Sequence, residues 1–227
     1  MRKLSFLIFL AVFSGWSSGA WANPVVVKNL ATGINDFTGS KIGYGSPDPD
    51  YQIYEGTVQG SASTPVTYAG PSRSGGWIED GASAESRWIS TAGTNNATPL
   101  TTFFFQTTFV LSEADSSSAR IEGLRFAADN QLIDLAINGI SVFSAVPVST
   151  GAFDYESFQN LGTIGLGLFE AGSNTILFSV YNGQHEPGTN PMGFRAEGFV
   201  AAGIVPEPST ALLLGIGLVG MAIRRRG

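Results

Sequence analysis

The middle of the chain alternates between apolar and polar residues with the period of two that is typical of a half-buried β-strand. The clearest stretch is residues 102–111. One of its faces carries Phe103, Phe105, Thr107, Phe109 and Leu111, and the opposite face carries Phe104, Gln106, Thr108 and Val110. We predict a strand here, with the phenylalanine-rich face turned towards the core.

A second stretch predicts a β-hairpin. Its alternating faces are Ile133, Leu135 and Ile137 on one side, and Leu132, Asp134 and Ala136 on the other. The pair Asn138-Gly139 then supplies the two positive φ angles of a type I′ turn. We therefore expect the chain to return through Ile140 and Val142.

Three further strands follow from the same pattern. Residues 175–181 come after a predicted turn at residues 171–174, and another strand is expected over residues 193–200. In residues 119–128 the apolar positions change phase around Gly123, which predicts a bulged strand.

The first third of the body is less regular. Residues 43–50, 70–76 and 91–99 are rich in Gly, Pro and polar residues, which predicts loops. Short strands are expected at residues 51–58 and 88–90.

Both ends of the chain lack this alternation. Arg2 and Lys3 precede an apolar run at residues 4–13, and the stretch Ala20-Trp21-Ala22 has the form of a signal-peptidase site. Residues 1–22 are therefore a predicted signal peptide for Sec export, with cleavage before Asn23. An uncleaved anchor is the alternative, which the short apolar run disfavours.

The other end combines a proline-framed acid, an apolar run and a basic cluster. Pro206, Glu207 and Pro208 form a segment that fits neither a strand nor a helix interior. The uncharged residues 211–223 follow, and then Arg224, Arg225 and Arg226. As a helix, 13 residues span about 20 Å, which is short for a hydrocarbon core of about 30 Å. A buried helix is the alternative interpretation, but three closing arginines fit a membrane stop on the cytoplasmic side.

Residues 205–227 resemble the PEP-CTERM sorting signal, because the motif, the apolar helix and the basic end occur in that order. The resemblance implies a transmembrane precursor that a membrane-embedded exosortase recognises and processes. It implies a destination at the cell surface or outside the cell, and says nothing about the body between the two targeting segments.

Composition restricts that body, residues 23–204, which we interpret as one domain. It contains seven basic residues against 17 acidic ones, and this negative balance argues against nucleic acid as a partner. The chain has no cysteine, which excludes disulfides and thiol catalysis. Abundant Gly and 16 Phe, with almost no helical periodicity, predict an all-β fold.

Short motifs in the body resemble the jelly-roll β-sandwich of galactose-binding-like domains and carbohydrate-binding modules. The residues that carry this resemblance are Asp48-Pro49-Asp50-Tyr51, Gly76-Trp77-Ile78, Arg87-Trp88-Ile89-Ser90, Thr107-Thr108-Phe109, Ala127-Ala128-Asp129-Asn130, Asn138-Gly139, residues 169–175, and Pro191 with Gly193 and Phe194. Members of this class range from sugar binders to domains without a ligand, so the resemblance implies a fold rather than an activity.

The sequence offers little catalytic chemistry. His185 is the only histidine, so neither a Ser-His-Asp triad nor a histidine-rich metal site can be built. A carboxylate pair such as Asp129 and Glu170 would need a glycosidase separation that sequence cannot give. We therefore expect no enzyme and no cofactor.

Two kinds of ligand remain open. Asp129, Asn130 and Asp134 fit turn formation, with a Ca²⁺ site as the alternative. Trp77 and Trp88 fit core positions, with a sugar-stacking platform as the alternative. The body is accordingly either a structural or interaction unit, or a module that binds exopolysaccharide, and buried indoles would favour the first.

Overall fold

The computed structural model describes residues 24–55, 66–70, 77–79, 85–90, 98–145, 155–183 and 191–203. They belong to one compact unit, Pro24–Ile204. Within these ranges the fold is all-β, as predicted, and no helix is long and apolar enough to span a membrane. The predicted signal peptide, the sorting signal and His185 lie outside the described residues.

The described residues form eleven strands and one short helix. In chain order they are β1 (Val25–Asn29), β2 (Pro47–Glu55), β3 (Val66–Gly70), β4 (Trp88–Ser90), β5 (Thr101–Leu111), α1 (Glu113–Ser116), β6 (Arg120–Asp129), β7 (Gln131–Ile137), β8 (Ile140–Ser144), β9 (Gln159–Ile164), β10 (Gly172–Asn182) and β11 (Gly193–Ala202).

The strands pair antiparallel in two layers that share one hydrogen-bonded path. One layer has the order β8-β7-β10-β5-β2, and the other has the order β3-β4-β11-β6-β9 with β1 also paired to β11. Strand β2 joins them, because Pro47 and Asp48 pair with β3, Gln52 pairs with both β3 and β5, and Ile53 to Glu55 pair with β5. The chain thus crosses between the layers within a single strand, which is a known way to make a sandwich corner.

Phenylalanines from both layers meet in the core. The ring of Phe194 on β11 lies 5.0 Å from that of Phe105 on β5 and 4.8 Å from that of Phe178 on β10. All three side chains are fully buried. The prediction that the phenylalanine-rich face of residues 102–111 forms the core is confirmed.

The predicted hairpin and the predicted bulge are both present. Asn138 and Gly139 have φ angles of 49° and 81° between β7 and β8. Gly123 has a φ of 62°, and the register of β6 shifts there against both β9 and β11. The predicted face of β7 is wrong in one position. A register shift between Ser179 and Val180 of β10 places Leu132 in the core, and Ile133 is only half-buried.

Several predicted boundaries also differ. Residues 47–50 were expected in a loop but begin β2, because the side chain of Asp48 accepts hydrogen bonds from the backbone N–H groups of Gly33 and Asp50. The turn predicted at residues 171–174 is already strand from Gly172, since Ser173 pairs with Val110. Strands β1, β3 and β9 were not predicted.

Candidate functional site

The outer face of the β4-β11-β6 layer is buried. Every second residue of β11 points there, and register places Gly193, Arg195 and Glu197 opposite Asp129, Ala127 and Arg125 of β6. Short segments at residues 77–79, 85–87 and 155–158 lie over this face. We call this arrangement the outer cluster. It contains three of the residues that the sequence proposed as ligand contacts, namely Trp77, Trp88 and Asp129.

The two tryptophans form the apolar part of the outer cluster. Their ring centroids are 4.3 Å apart, and the side chains are only 7% and 1% exposed. Trp77 Nε1 donates to Asp129 Oδ2 at 2.9 Å, and Trp88 Nε1 donates to the Ile78 carbonyl at 2.8 Å. Both indole N–H groups are therefore used within the protein. The rings fasten residues 77–79 to the sheet.

Gly193 leaves the space that Trp77 occupies. A Cβ atom at this position would lie 2.5 Å from Cη2 of Trp77 and 3.1 Å from Cε3 of Trp88. Neither ring could move far, because both are packed against the sheet and held by their N–H groups. A side chain at residue 193 would displace Trp77, so the glycine is a packing requirement of the outer cluster.

A buried ionic network forms the polar part of the outer cluster. Arg195 Nε donates to Ser86 Oγ at 2.7 Å, and the same hydroxyl donates to Glu197 Oε1 at 2.6 Å. Arg125 binds the other carboxylate oxygen of Glu197 through Nε at 2.6 Å. Ser86, Arg195 and Glu197 are all less than 5% exposed. Because each buried charge has a partner, the network avoids most of the cost of burying ions.

Aromatic residues of a surface segment complete the cover. The guanidinium groups of Arg125 and Arg195 lie 4.7 Å and 5.1 Å from the ring centre of Phe158, in cation–π geometry. Tyr155 accepts a hydrogen bond from the Ile78 N–H through its backbone carbonyl. Burial, together with the carboxylates of Asp129 and Glu156, raises the pKa of Tyr155. The outer cluster is thus a closed structure that holds three surface segments on the sheet.

Asn130 and Asp134, the other two candidates for a Ca²⁺ site, have separate hydrogen-bond partners. Asn130 Oδ1 accepts from the Gly183 N–H, whereas Asp134 accepts from the Ser141 hydroxyl in the other layer. No three His, Asp or Glu side chains converge into a metal site anywhere in the described ranges.

Asp129 and Glu170 are also far apart. Asn130, the neighbour of Asp129, binds Tyr181 near the end of β10, and Glu170 binds Asn174 near its beginning. Seven strand residues span about 23 Å, which is well beyond the carboxyl separations of glycosidases.

Sequence reasoning missed a second charged site, which lies beside β2. The Lys28 ammonium contacts Asp36 at 2.5 Å and Asp50 at 2.8 Å, and Asp48 is buried next to them. Burial raises the pKa of Asp48 to about 6, despite the two backbone N–H groups that bind its carboxylate. Burial also raises the pKa of Asp36. For Lys28 burial acts to lower the pKa, but the two aspartates outweigh it and raise the value.

The only indication of this second site was the segment Asp48-Pro49-Asp50, which we predicted to lie in a loop because residues 43–50 are rich in Gly, Pro and Asp. Lys28 offsets part of the negative charge of the carboxylates, and the hydrogen bonds of the site tie β1, residues 33–36 and β2 together. We interpret it as a structural contact.

Comparison with known proteins identifies the C-terminal segment of the chain. Residues 205–226 match the family model of the PEP-CTERM protein-sorting motif. This is a PEP-CTERM protein. No curated protein and no solved structure matches the chain.

The matched range of this PEP-CTERM protein includes Pro206, Glu207 and Pro208, the apolar run and the arginines that follow it. The sorting motif predicted from sequence is therefore confirmed. The motif implies a secreted, membrane-anchored precursor that an exosortase processes on its way to the cell surface.

Proposed function

We propose that the body of this PEP-CTERM protein is a non-enzymatic structural or interaction unit of the cell surface or extracellular matrix. The observation that carries the proposal is the burial of Trp77 and Trp88 in the outer cluster. Both rings pack against protein, and both N–H groups bind protein acceptors. A sugar-stacking platform needs an exposed ring face. Because both indole rings are buried, we assign them the structural role of holding residues 77–79 on the sheet.

The two ends of the chain carry the signals for export and sorting. Signal peptidase cleaves after Ala22, which is preceded at the −3 position by Ala20. Exosortase reads Pro206, Glu207 and Pro208, while Arg224, Arg225 and Arg226 keep the C-terminal end in the cytoplasm until cleavage. The mature protein is then released or attached outside the cell.

The fold proposed for the body is a jelly roll of the galactose-binding-like class. Its support is the pairing ladder, in which β4 pairs with β11, β5 with β10, β6 with β9 and β7 with β8. This is the order of one long antiparallel ribbon wrapped into two layers, as in a jelly roll. Strands β1, β2 and β3 are additions to that ladder.

A second candidate function is binding of a neutral exopolysaccharide, and one observation favours it. On the outer face of the other layer, register sets Tyr54 beside Phe104 and Gln52 beside Gln106. The Tyr54 hydroxyl donates to Gln52 Oε1 at 2.6 Å. Paired aromatic rings and amides on an uncharged strip suit the apolar faces and hydroxyl groups of a sugar. If the body binds a glycan, this strip is the proposed contact.

The sorting half of the proposal is tested by Glu207→Gln in the native host. Export does not depend on the motif, so the variant should reach the membrane but keep its C-terminal segment. Blots of the membrane-bound and released fractions compare it with the wild type. Equal release of both proteins would refute processing through this motif.

The body half is tested on purified residues 23–204 with Trp77→Ala and Tyr54→Ala. We expect Trp77→Ala to lower the melting temperature strongly, because it opens the outer cluster. Neither the wild type nor the variants should be retained by a polysaccharide. Retention of the wild type that Tyr54→Ala abolishes would support the second candidate. Retention lost in a stable Trp77→Ala variant would contradict the role of the indoles as fasteners.

A further inference from the structure

The folded body ends very close to the sorting motif. β11 ends at Ala202, which is 1% exposed and pairs with Val25 of β1. Gly203 follows, and only Ile204 and Val205 separate it from Pro206. Three residues span at most about 11 Å even when fully extended. In sequence, the motif therefore begins three residues after the last residue described.

A single hydroxyl group holds this last residue. Ser118 Oγ donates to the Gly203 carbonyl at 2.9 Å and accepts from the Gly203 N–H at 3.1 Å. Ser118 lies two residues after the end of α1, and its own carbonyl accepts from Arg120 Nη1 at 3.2 Å. Because Arg120 pairs with Ala201 in the sheet, the contact extends strand pairing by one residue beyond β11. We call it the Ser118 clamp.

Only two residues, Ile204 and Val205, separate the Gly203 that the Ser118 clamp holds from the motif. Enzymes that cut or transfer peptide chains bind an extended segment, and folded substrates supply it by opening locally. Release of Gly203, and then of Ala202, would lengthen the free segment on the side of the body. The rest of the body need not unfold, because the ends of a chain open at a much lower free-energy cost than core strands do.

We propose that the Ser118 clamp controls how fast the exosortase acts, because Gly203 must leave Ser118 before the Pro206-Glu207-Pro208 motif is fully presented. This inference rests on the proposed sorting function. It places a regulatory contact in the body, about 90 residues before the motif along the chain.

The test follows conversion of the full-length precursor to the mature form by pulse-chase in cells that contain the exosortase. Ser118→Ala removes both side-chain bonds to Gly203 but keeps the bond from the Arg120 side chain to the carbonyl of residue 118. We expect conversion about fivefold faster, the ratio that the loss of one net hydrogen bond corresponds to. Ser116→Ala is the matched control, because that hydroxyl binds Glu113 and not the end of the body.

A second change tests the same idea without altering the body. Four Gly and Ser residues inserted between Ile204 and Val205 supply the free segment directly. The insertion should speed conversion of the wild type and remove the advantage of Ser118→Ala. Conversion of Ser118→Ala at the wild-type rate, or an insertion without effect, would overturn the proposal.

Slower conversion of Ser118→Ala with a normal Ser116→Ala control would also overturn it, since the clamp would then present the motif instead of restraining it. Failure of the sorting function itself looks different. In that case Glu207→Gln would be converted as fast as the wild type, whatever residue 118 is.

Discussion

The two faces of β11 are buried by different chemistry. One face places Phe194 and Ala196 in the core between the layers, where Phe105 and Phe178 surround them. The other face places Arg195 and Glu197 under the outer cluster. The apolar face is stabilised by the area it removes from water, whereas the polar face is stable only while each charge keeps its partner. The first tolerates many apolar side chains, and the second depends on particular atoms.

The largest effect is expected on the apolar face. Phe194→Ala leaves a cavity between two other rings, and truncation of a buried Phe in such a place costs about 4 to 5 kcal/mol. Urea unfolding of residues 23–204 measures it. Val110→Ala is the control, because Val110 is 75% exposed on β5 and should change stability by less than about 0.5 kcal/mol. Equal effects of the two changes would mean that the packing between the layers is not as described.

The next effect is expected on the polar face. Glu197→Ala leaves Arg195 buried without a carboxylate, which costs about 3 to 4 kcal/mol. Glu85→Ala is the matched control, since Glu85 also reaches Arg125, at 3.8 Å, but is exposed. Its removal should cost less than about 1 kcal/mol. If both changes prove equally mild in urea unfolding, the outer cluster does not depend on its charges.

A smaller effect is expected from the buried carboxyl group of Asp48, which should make the stability of the body depend on pH. The pKa of Asp48 is about 6 in the folded protein, above its ordinary value of 3.8. The folded state therefore holds this proton more tightly. Its contribution to stability is complete below about pH 4 and is lost as the pH rises through about 6. The loss amounts to roughly 3 kcal/mol.

Asp48→Asn should flatten this part of the stability profile between pH 4 and 7. At neutral pH the net change should be small, because the amide removes a buried charge but loses one acceptor for a backbone N–H. Urea unfolding at a series of pH values gives the slope. A variant with the same slope as the wild type would show that Asp48 does not titrate in this range.

The smallest effect concerns a polar atom on the apolar face. Thr107 points from β5 into the core, is 1% exposed, and its hydroxyl has no hydrogen-bond partner. Thr107→Val keeps the shape and removes that unsatisfied group, so we expect a gain of about 1 kcal/mol. A rise in melting temperature measures the gain. A loss of stability would mean that the hydroxyl is satisfied in solution.

Sequence patterns predicted the apolar half of the fold well. The period of two identified the core face of β5, and Asn138-Gly139 and Gly123 marked the hairpin turn and the bulge. These features depend on neighbours in the chain, which a sequence displays directly. The exchange of Ile133 for Leu132 in the core depends on a bulge at Ile133, where β7 has one residue more than the facing part of β10, and the alternation of β7 alone does not show it.

The polar half was largely hidden for the same reason. Arg195 and Glu197 look like the solvent face of an alternating strand, and only the segment around Ser86 and the strand with Arg125 bury them. The only indication of the outer cluster in the sequence was the pair Arg195 and Glu197, two residues apart, together with Trp77 and Trp88 earlier in the chain. Trp77 and Trp88 were predicted as a pair and Asp129 as part of a different candidate site, so their common cluster was not predicted.

The most direct test of the account is the mass of the mature protein purified from its native host, together with its two terminal residues. We expect the chain to begin at Asn23 and to end near Pro206-Glu207-Pro208, without residues 211–227. Any group added by the sorting reaction would appear as extra mass at that end. A mature protein that still ends in Arg224-Arg225-Arg226-Gly227 would contradict processing through the sorting motif, and with it the central claim.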